Sequence, residues 1–433
     1  MKIRLYNARI LTMQQDEEIF HGEVWIYGER IVYVGDGTDT EEVCNRNNTI
    51  GKIWDREIDC QGNLLMPGFK DVHTHSGMTL LRSYADDLPL HDWLNKQIFP
   101  VEAKMTGEDI RILTKLAILE YLTSGITAIG DMYLTPHTIA EACKEMGMRC
   151  VIIGTLNNYV QSVKLQEECI LRYREDDPLL SFIPGIHAEY TCSKELLKDM
   201  AELVHAYKTP VFTHLSETEK EVRECQERYG MTPVAFLEQM GLFDYGGAGH
   251  HCVYVTKEDM QILARKGVSA VTNPASNLKL ASGVAPITEL WKAGVNIAIG
   301  TDGPASNNCL DMFREMFLVT GLAKMREHDA AAVKAGEVLQ MATVNGAKAL
   351  QLADVDVLAE GKLADMIMID LHQPNMQPLQ NIANNVVYSG SKQNVKMTMI
   401  HGKILYENGI FSVGEEPEAI YAQVYKIQKR ITG

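Results

Sequence analysis

The sequence predicts an α/β chain: a (β/α)8, TIM-like barrel with a small β-sandwich domain built from both termini. Three observations predict it. Eight short apolar runs alternate with amphipathic stretches between about residues 66 and 310, as parallel strands with helical crossovers do. Both ends of the chain instead read as β without intervening helices. Histidines and aspartates gather where the apolar runs stop. The expected division is 66–355 for the barrel, and 1–65 with 356–433 for the composite domain.

In order along the chain, 3–10, 23–27, 30–34 and 63–66 alternate or cluster β-branched residues, with Gly28-Glu29 and Gly35-Asp36-Gly37 as turns. The run 66–72 reads as a short buried strand interrupted by Pro67-Gly68 and ending at His73 and His75. The barrel strands are predicted at 68–73, 126–131, 149–155, 182–187, 210–214, 249–253, 268–273 and 296–301. Segments 109–124, 138–146 and 194–207 carry helical periodicity between them. Runs 361–370 and 395–405 return to strand character, and a helix over 417–430 closes the chain.

Composition bounds the function. A chain of 433 residues has room for one large and one small domain. A net charge of −16, with no Lys/Arg cluster, argues against a nucleic-acid partner. No apolar run approaches membrane-spanning length and no leader opens the sequence, so no membrane partner is expected. Nine cysteines stand singly without a CxxC, which reads as a reduced, cytoplasmic chain. Homo-oligomerisation stays open.

The chemistry lies at the strand ends. His73 and His75 follow the first barrel strand, at a spacing that puts both side chains on one face of a strand. His187, His214, His250-His251 and Asp302 end the fourth, fifth, sixth and eighth. A barrel gathers those ends into one ring, where such folds keep their active sites. A bare HxH pair is weak evidence, and each histidine alone is more often a bonded core residue. Their joint placement is what carries weight. His73, His75, His214 and Asp302 would hold one divalent ion, Zn2+ before Fe2+ or Mn2+, with a position left for water. Such an ion lowers the pKa of its water towards ~7. Glu217, three residues beyond His214, could then shuttle protons, and His251 could polarise the reacting centre.

Four motifs carry a resemblance: Pro67-Gly-Phe-x-Asp-x-His-Thr-His75, His214-Leu-Ser-Glu217, Asn273-Pro-Ala-Ser-Asn-Leu-Lys-Leu280 and Gly300-Thr-Asp-Gly-Pro-Ala-Ser-Asn-Asn308. From end to end the chain resembles the amidohydrolase superfamily, and within it the 5'-methylthioadenosine/S-adenosylhomocysteine deaminases of the mononuclear branch. The resemblance implies the composite β-sandwich and the same four metal ligands. It makes Glu217 the proton shuttle and substrate contact, with His251 and Asp302 catalytic beside it. It also implies that Glu102 and His187 hold the substrate. Trp93, in a lid-like loop, could wall the pocket or simply anchor that loop. Strand four offers no lysine for a second metal, so one ion is expected.

The resemblance also marks departures. Arginines that pair with a substrate carboxylate in the family are missing: Gly154 stands at one place, and only Lys164 offers a cation nearby. Lys is a poorer bidentate partner for carboxylate than Arg. Glu189 adds a carboxylate, either beside the pocket or as a solvated loop charge. The expected activity is hydrolytic deamination of a 6-aminopurine nucleoside of the methylthioadenosine, S-adenosylhomocysteine, adenosine or 5'-deoxyadenosine type. The alternative keeps the site and changes the substrate to a free aminoheterocycle: guanine, pterin, cytosine or an s-triazine, with amine or chloride leaving. A catalytically dead scaffold is the non-enzyme reading, and such a scaffold is expected to have lost ligands that are all present here.

Overall fold

The computed structural model describes residues 1–14, 18–38, 53–173 and 177–433. The opening segment supplies β1 (Lys2–Ile10), β2 (Phe20–Tyr27), β3 (Arg30–Gly35), β4 (Arg56–Asp59) and β5 (Leu64–Pro67). Barrel strands follow as β6 (Phe69–Thr74), β7 (Ile126–Met132), β8 (Arg149–Ile153), β9 (Leu180–Ile183) and β10 (Gly185–Ala188). Then come β11 (Val211–Leu215), β12 (Gly247–His251), β13 (Val268–Thr272) and β14 (Ile297–Ile299). The closing segment adds β15 (Met366–Ile369), β16 (Val395–Ile400), β17 (Lys403–Glu407) and β18 (Ile410–Phe411).

Strands from both ends of the chain form one nine-stranded sheet, in the order β18-β17-β16-β15-β5-β1-β2-β3 with β4 beside β1. The antiparallel pairing of β15 with β5, from Met366 opposite Pro67 to Ile369 opposite Leu64, is the joint between the two halves. Ile3, Leu5 and Ile26 share one buried cluster with Met366, Met397 and Met399. Alternating apolar residues from opposite ends of the sequence thus bury against each other, which neither end could do alone.

Three predicted strands turn out to be divided. The run 66–72 hands over at Gly68, with Met66 in β5 and Phe69 starting β6. A Cβ on Gly68 would lie 2.0 Å from the Thr127 methyl, so only glycine lets the chain pass from one sheet to the other. The run 182–187 is split by Pro184, which has no N–H to give to the ladder. The run 395–405 folds back as a hairpin, because His401 and Gly402 both take left-handed backbone (φ 53° and 72°) between the paired Ile400 and Lys403.

Strands β6 to β9 and β10 to β14 form two parallel arcs. A parallel bridge between Leu156 and Ile186 joins them on one side, and a bridge between Thr74 and Asp302 closes the barrel on the other. Val72, Met132, Val151, Phe212, Val271 and Ala298 pack in one buried cluster, so this is a filled core and not a pore. The crossover helices include Gly107–Thr123, Pro136–Met146 and Lys194–Tyr207, close to the predicted spans. Thr106 and Asp109 cap the first of these reciprocally. The closing helix runs Pro417–Ile431, and its Arg430 donates to Asp109.

No helix among the described residues is long and apolar enough to cross a membrane. Eight cysteines are described; all are free and all but Cys309 are buried. Cys44 lies outside the described residues.

Candidate active site

The C-terminal strand ends do converge. The His73 ring centroid lies 4.7 Å from that of His75, 4.8 Å from His214 and 5.7 Å from His251. His250 stacks on His73 at 3.7 Å. Asp302 arrives from just beyond β14, and its Oδ1 lies 3.1 Å from His75 Nε2 and 3.5 Å from His73 Nε2. Side-chain donors of His73, His214, His251 and Asp302 all fall within 4.8 Å of one another, and all four residues are buried. The predicted ligand His75 faces the same carboxylate, so five groups surround this point.

Outer hydrogen bonds set how the rings present themselves. His75 Nδ1 meets the Met132 carbonyl, and His214 Nδ1 meets the His187 carbonyl at 2.7 Å. A carbonyl only accepts, so each Nδ1 carries a proton; burial works against the charged form of His75, but the Asp302 carboxylate beside its Nε2 raises its pKa above the ordinary histidine value. His251 Nδ1 is held at 2.8 Å by the Asn277 side-chain oxygen in the same way. Burial pushes His73 down to about 3 and lowers His214 well below the ordinary histidine range, which keeps both imidazoles neutral. The Asp302 carboxylate accepts from Ser276 Oγ at 2.5 Å, Ser306 Oγ at 2.9 Å and the Gly303 N–H at 2.8 Å. The neutral His73 ring therefore points its Nε2 at a carboxylate oxygen 3.5 Å away. Both ring nitrogens of His73 are buried without a hydrogen-bond partner. A cation among these donors is what reconciles such a set, and ring–carbonyl supports of this kind are how metal-binding histidines are oriented.

Glu217 stands at the rim of this cluster, its carboxylate 3.9 Å from His251 Nε2. Its backbone N–H and that of Ser216 donate to the buried Glu221 carboxylate at 2.8 and 2.7 Å, which fixes the turn after β11. Burial raises the Glu217 pKa, and Ser282 Oγ donates to it at 3.4 Å. Ser216, His251 and Asp302 hold φ at 51°, 71° and 61°, strained backbone gathered at one site.

A cavity of about 500 Å³ opens over the cluster, and Glu102, His187 and Trp93 all line it. Trp93 is also buried, so it both anchors its loop and walls the pocket. Glu102 accepts from Tyr133 Oη at 2.7 Å, and burial pushes its carboxyl up to about 7. His187 is pushed down to about 4 by burial.

Two of the marked departures, Gly154 and Lys164, are not among the residues that line this cavity. Lys164 is exposed and pairs only loosely with Glu168 at 3.8 Å. Gly154 packs so tightly that a Cβ would overlap the Gln166 side chain. Glu189 is not a solvated loop charge: it is buried, and its Oε2 takes Arg228 Nη2 at 2.6 Å.

Residues 64–405 match the amidohydrolase family. The chain belongs to that family. This amidohydrolase is 39% identical over 420 residues to a 5-methylthioadenosine/S-adenosylhomocysteine deaminase of Thermoanaerobacter pseudethanolicus, covering 94% of each chain. It is also 39% identical to a 5'-deoxyadenosine deaminase of Methanococcoides burtonii, covering 94% of this chain and 92% of the other. Its fold superimposes on the crystal structure of an adenosine deaminase from Xanthomonas campestris with bound zinc, at a TM-score of 0.91 and 32% identity, over 100% of this chain and 98% of that one.

The amidohydrolase site also uses residues to which sequence reasoning gave no role. Ser276, Asn277 and Ser306 sit within motifs that stood out, yet only the fold shows them gripping Asp302 and His251. Tyr133, the partner of Glu102, follows β7 directly. Its place just past a strand end was the available signal.

Proposed function

We propose that this chain is a metal-dependent hydrolytic deaminase that converts a 6-aminopurine nucleoside into the inosine-type product and ammonia. The observation that carries the proposal is the set of buried imidazoles and one carboxylate turned on a single point, with Glu217 at its rim and, above it, a cavity that no lysine or arginine among the described residues lines. End-to-end likeness to relatives named as nucleoside deaminases supports the nucleoside over a free aminoheterocycle.

His73, His75, His214 and Asp302 would hold one divalent ion, zinc by preference given the nitrogen-rich donors. When bound, the ion makes a water acidic enough to attack near neutral pH. The residues then do the following work. Asp302, braced by Ser276 and Ser306, takes up the proton that the water gives away. His251, braced by Asn277, orients the attacking oxygen toward the amino-bearing ring carbon. Glu217, whose hold on a proton burial strengthens, gives its proton to the adjacent ring nitrogen as that carbon becomes tetrahedral. The amino group leaves as ammonia with a proton returned through Glu217 or Asp302, and the ring carbon keeps the oxygen. Glu102 accepts hydrogen bonds from the sugar hydroxyls and His187 flanks the sugar. Trp93 covers the cavity.

The test is ammonia release and the purine absorbance change with zinc-replete protein on adenosine, 5'-deoxyadenosine and 5'-methylthioadenosine. Turnover of a nucleoside is expected. Turnover of guanine or cytosine with none of the nucleosides would overturn the reading.

A further inference from the structure

The inner cavity opens into a second, larger one of about 950 Å³. Leu90, Leu94, Phe99, Tyr159, Tyr190 and Leu280 line both, with only Asn157 and His187 as polar members, so the passage between them is a mainly apolar collar. Three of its aromatics stand out in solvent: Tyr159 is 93% exposed, Phe99 42% and Tyr190 40%. Exposed apolar groups gathered at one mouth mark a surface that something apolar covers.

Charge is distributed to match. Among the described residues no lysine or arginine lines the inner cavity, while Glu102, Glu217 and Asp302 do. Three cations line the outer cavity, and each is already engaged. Arg228 Nη2 is 2.6 Å from Glu189, Lys220 Nζ is 2.8 Å from Glu224, and Lys279 Nζ is 2.5 Å from Asp86. Lys279 also donates to the Ala305 carbonyl at 3.0 Å. Glu219 and Asp87 add further negative charge to the same wall.

A nucleoside with its base over the histidine cluster must send its 5' substituent out through this collar. Resting on the deaminase reading, we propose that the enzyme selects adenosines whose 5' substituent is neutral and apolar, and discriminates against those ending in a carboxylate. An apolar substituent buries the collar's exposed rings. A carboxylate would be desolvated among apolar groups and meet carboxylates whose cations are spoken for, a juxtaposition that costs rather than binds.

The experiment compares kcat/KM of the zinc-replete enzyme for three compounds: 5'-methylthioadenosine, S-adenosylhomocysteine and the uncharged N-acetyl methyl ester of S-adenosylhomocysteine. The expected result is that S-adenosylhomocysteine trails the methylthio compound by on the order of 100-fold. The ester, of similar reach but uncharged, should recover most of that loss. Equal turnover of the acid and the methylthio compound would overturn the proposal and leave the deaminase reading standing. An ester as poor as the acid would overturn it too, because length and not charge would then be excluded. Failure of all three, with adenosine also untouched, would instead fell the deaminase reading. As a second line, Glu189→Gln should free Arg228 and raise turnover of the acid about 10-fold while leaving the methylthio compound unchanged. The same gain on both compounds would contradict the charge account.

Discussion

The two ends of the barrel bury charged and polar groups in opposite ways. At the N-terminal end, Arg149 and Asp365 form a two-pronged pair at 2.6 and 3.0 Å, and the His401 N–H adds a third bond to Asp365 at 2.7 Å. Close by, Lys70 Nζ gives hydrogen bonds to the Gly68 carbonyl at 2.5 Å and Thr127 Oγ1 at 3.2 Å. At the C-terminal end, both ring nitrogens of His73 and of His250 lack any such partner. Buried polar groups that satisfy one another hold a structure together. Buried ring nitrogens left without a partner, beside His75, His214 and His251 whose Nδ1 atoms are firmly tied, are arranged for chemistry. The contrast separates fold from function within a single barrel.

Removing the ion should produce the largest effect. Dialysis against a chelator is expected to abolish deamination, zinc to restore it, and elemental analysis to give about one ion per chain. Retained activity in verified metal-free protein would erase the functional half of the contrast. Glu217→Gln comes next: kcat should fall about 10²–10⁴-fold with zinc content unchanged, since only a proton carrier is lost. Full turnover would remove Glu217 from the mechanism.

Arg149→Met tests the structural end. It leaves Asp365 buried without its cation, so unfolding in urea should show a loss of about 3–5 kcal/mol. The kcat of the folded fraction should stay as it was. A large fall in kcat with stability intact would mean that the two ends are not separate. Smallest is the effect at Glu102. Its carboxyl, pushed up to about 7, is neutral below that pH and charged above it. A charged carboxylate accepts hydroxyl bonds better, so KM for a riboside should rise as pH drops below about 7. Glu102→Gln should raise KM by about 10-fold and flatten that dependence. An unchanged pH profile would place the titration elsewhere.

Much of the barrel was legible because apolar runs and their polar ends survive as local pattern. The strand β4 was not, since Arg56-Glu-Ile-Asp59 is mostly exposed and charged, and only pairing with β1 makes it a strand. The hairpin at His401-Gly402 was hidden because a two-residue turn inside an apolar run leaves the alternation almost intact. Among site residues, the histidines and Asp302 announced themselves by position at strand ends. Their supports did not: Ser276 meets Asp302 across 26 residues and Arg228 meets Glu189 across 39, distances at which composition carries no signal. Hydrogen-bond partners are properties of the folded chain.

The bridge that closes the barrel also has consequences for how the protein is made. Thr74 Oγ1 reaches the Asp302 carbonyl across 228 positions of sequence. The donors of the site therefore come from both lips of a seam that stays open until the eighth strand docks. Contacts of such long range are slow to form. A half-translated chain holds the histidines without their carboxylate, so it cannot complete the site early. An ion captured afterwards would act as a clasp, favouring the closed barrel over any opened form by mass action. Assembly of the fold and acquisition of competence thus become one event.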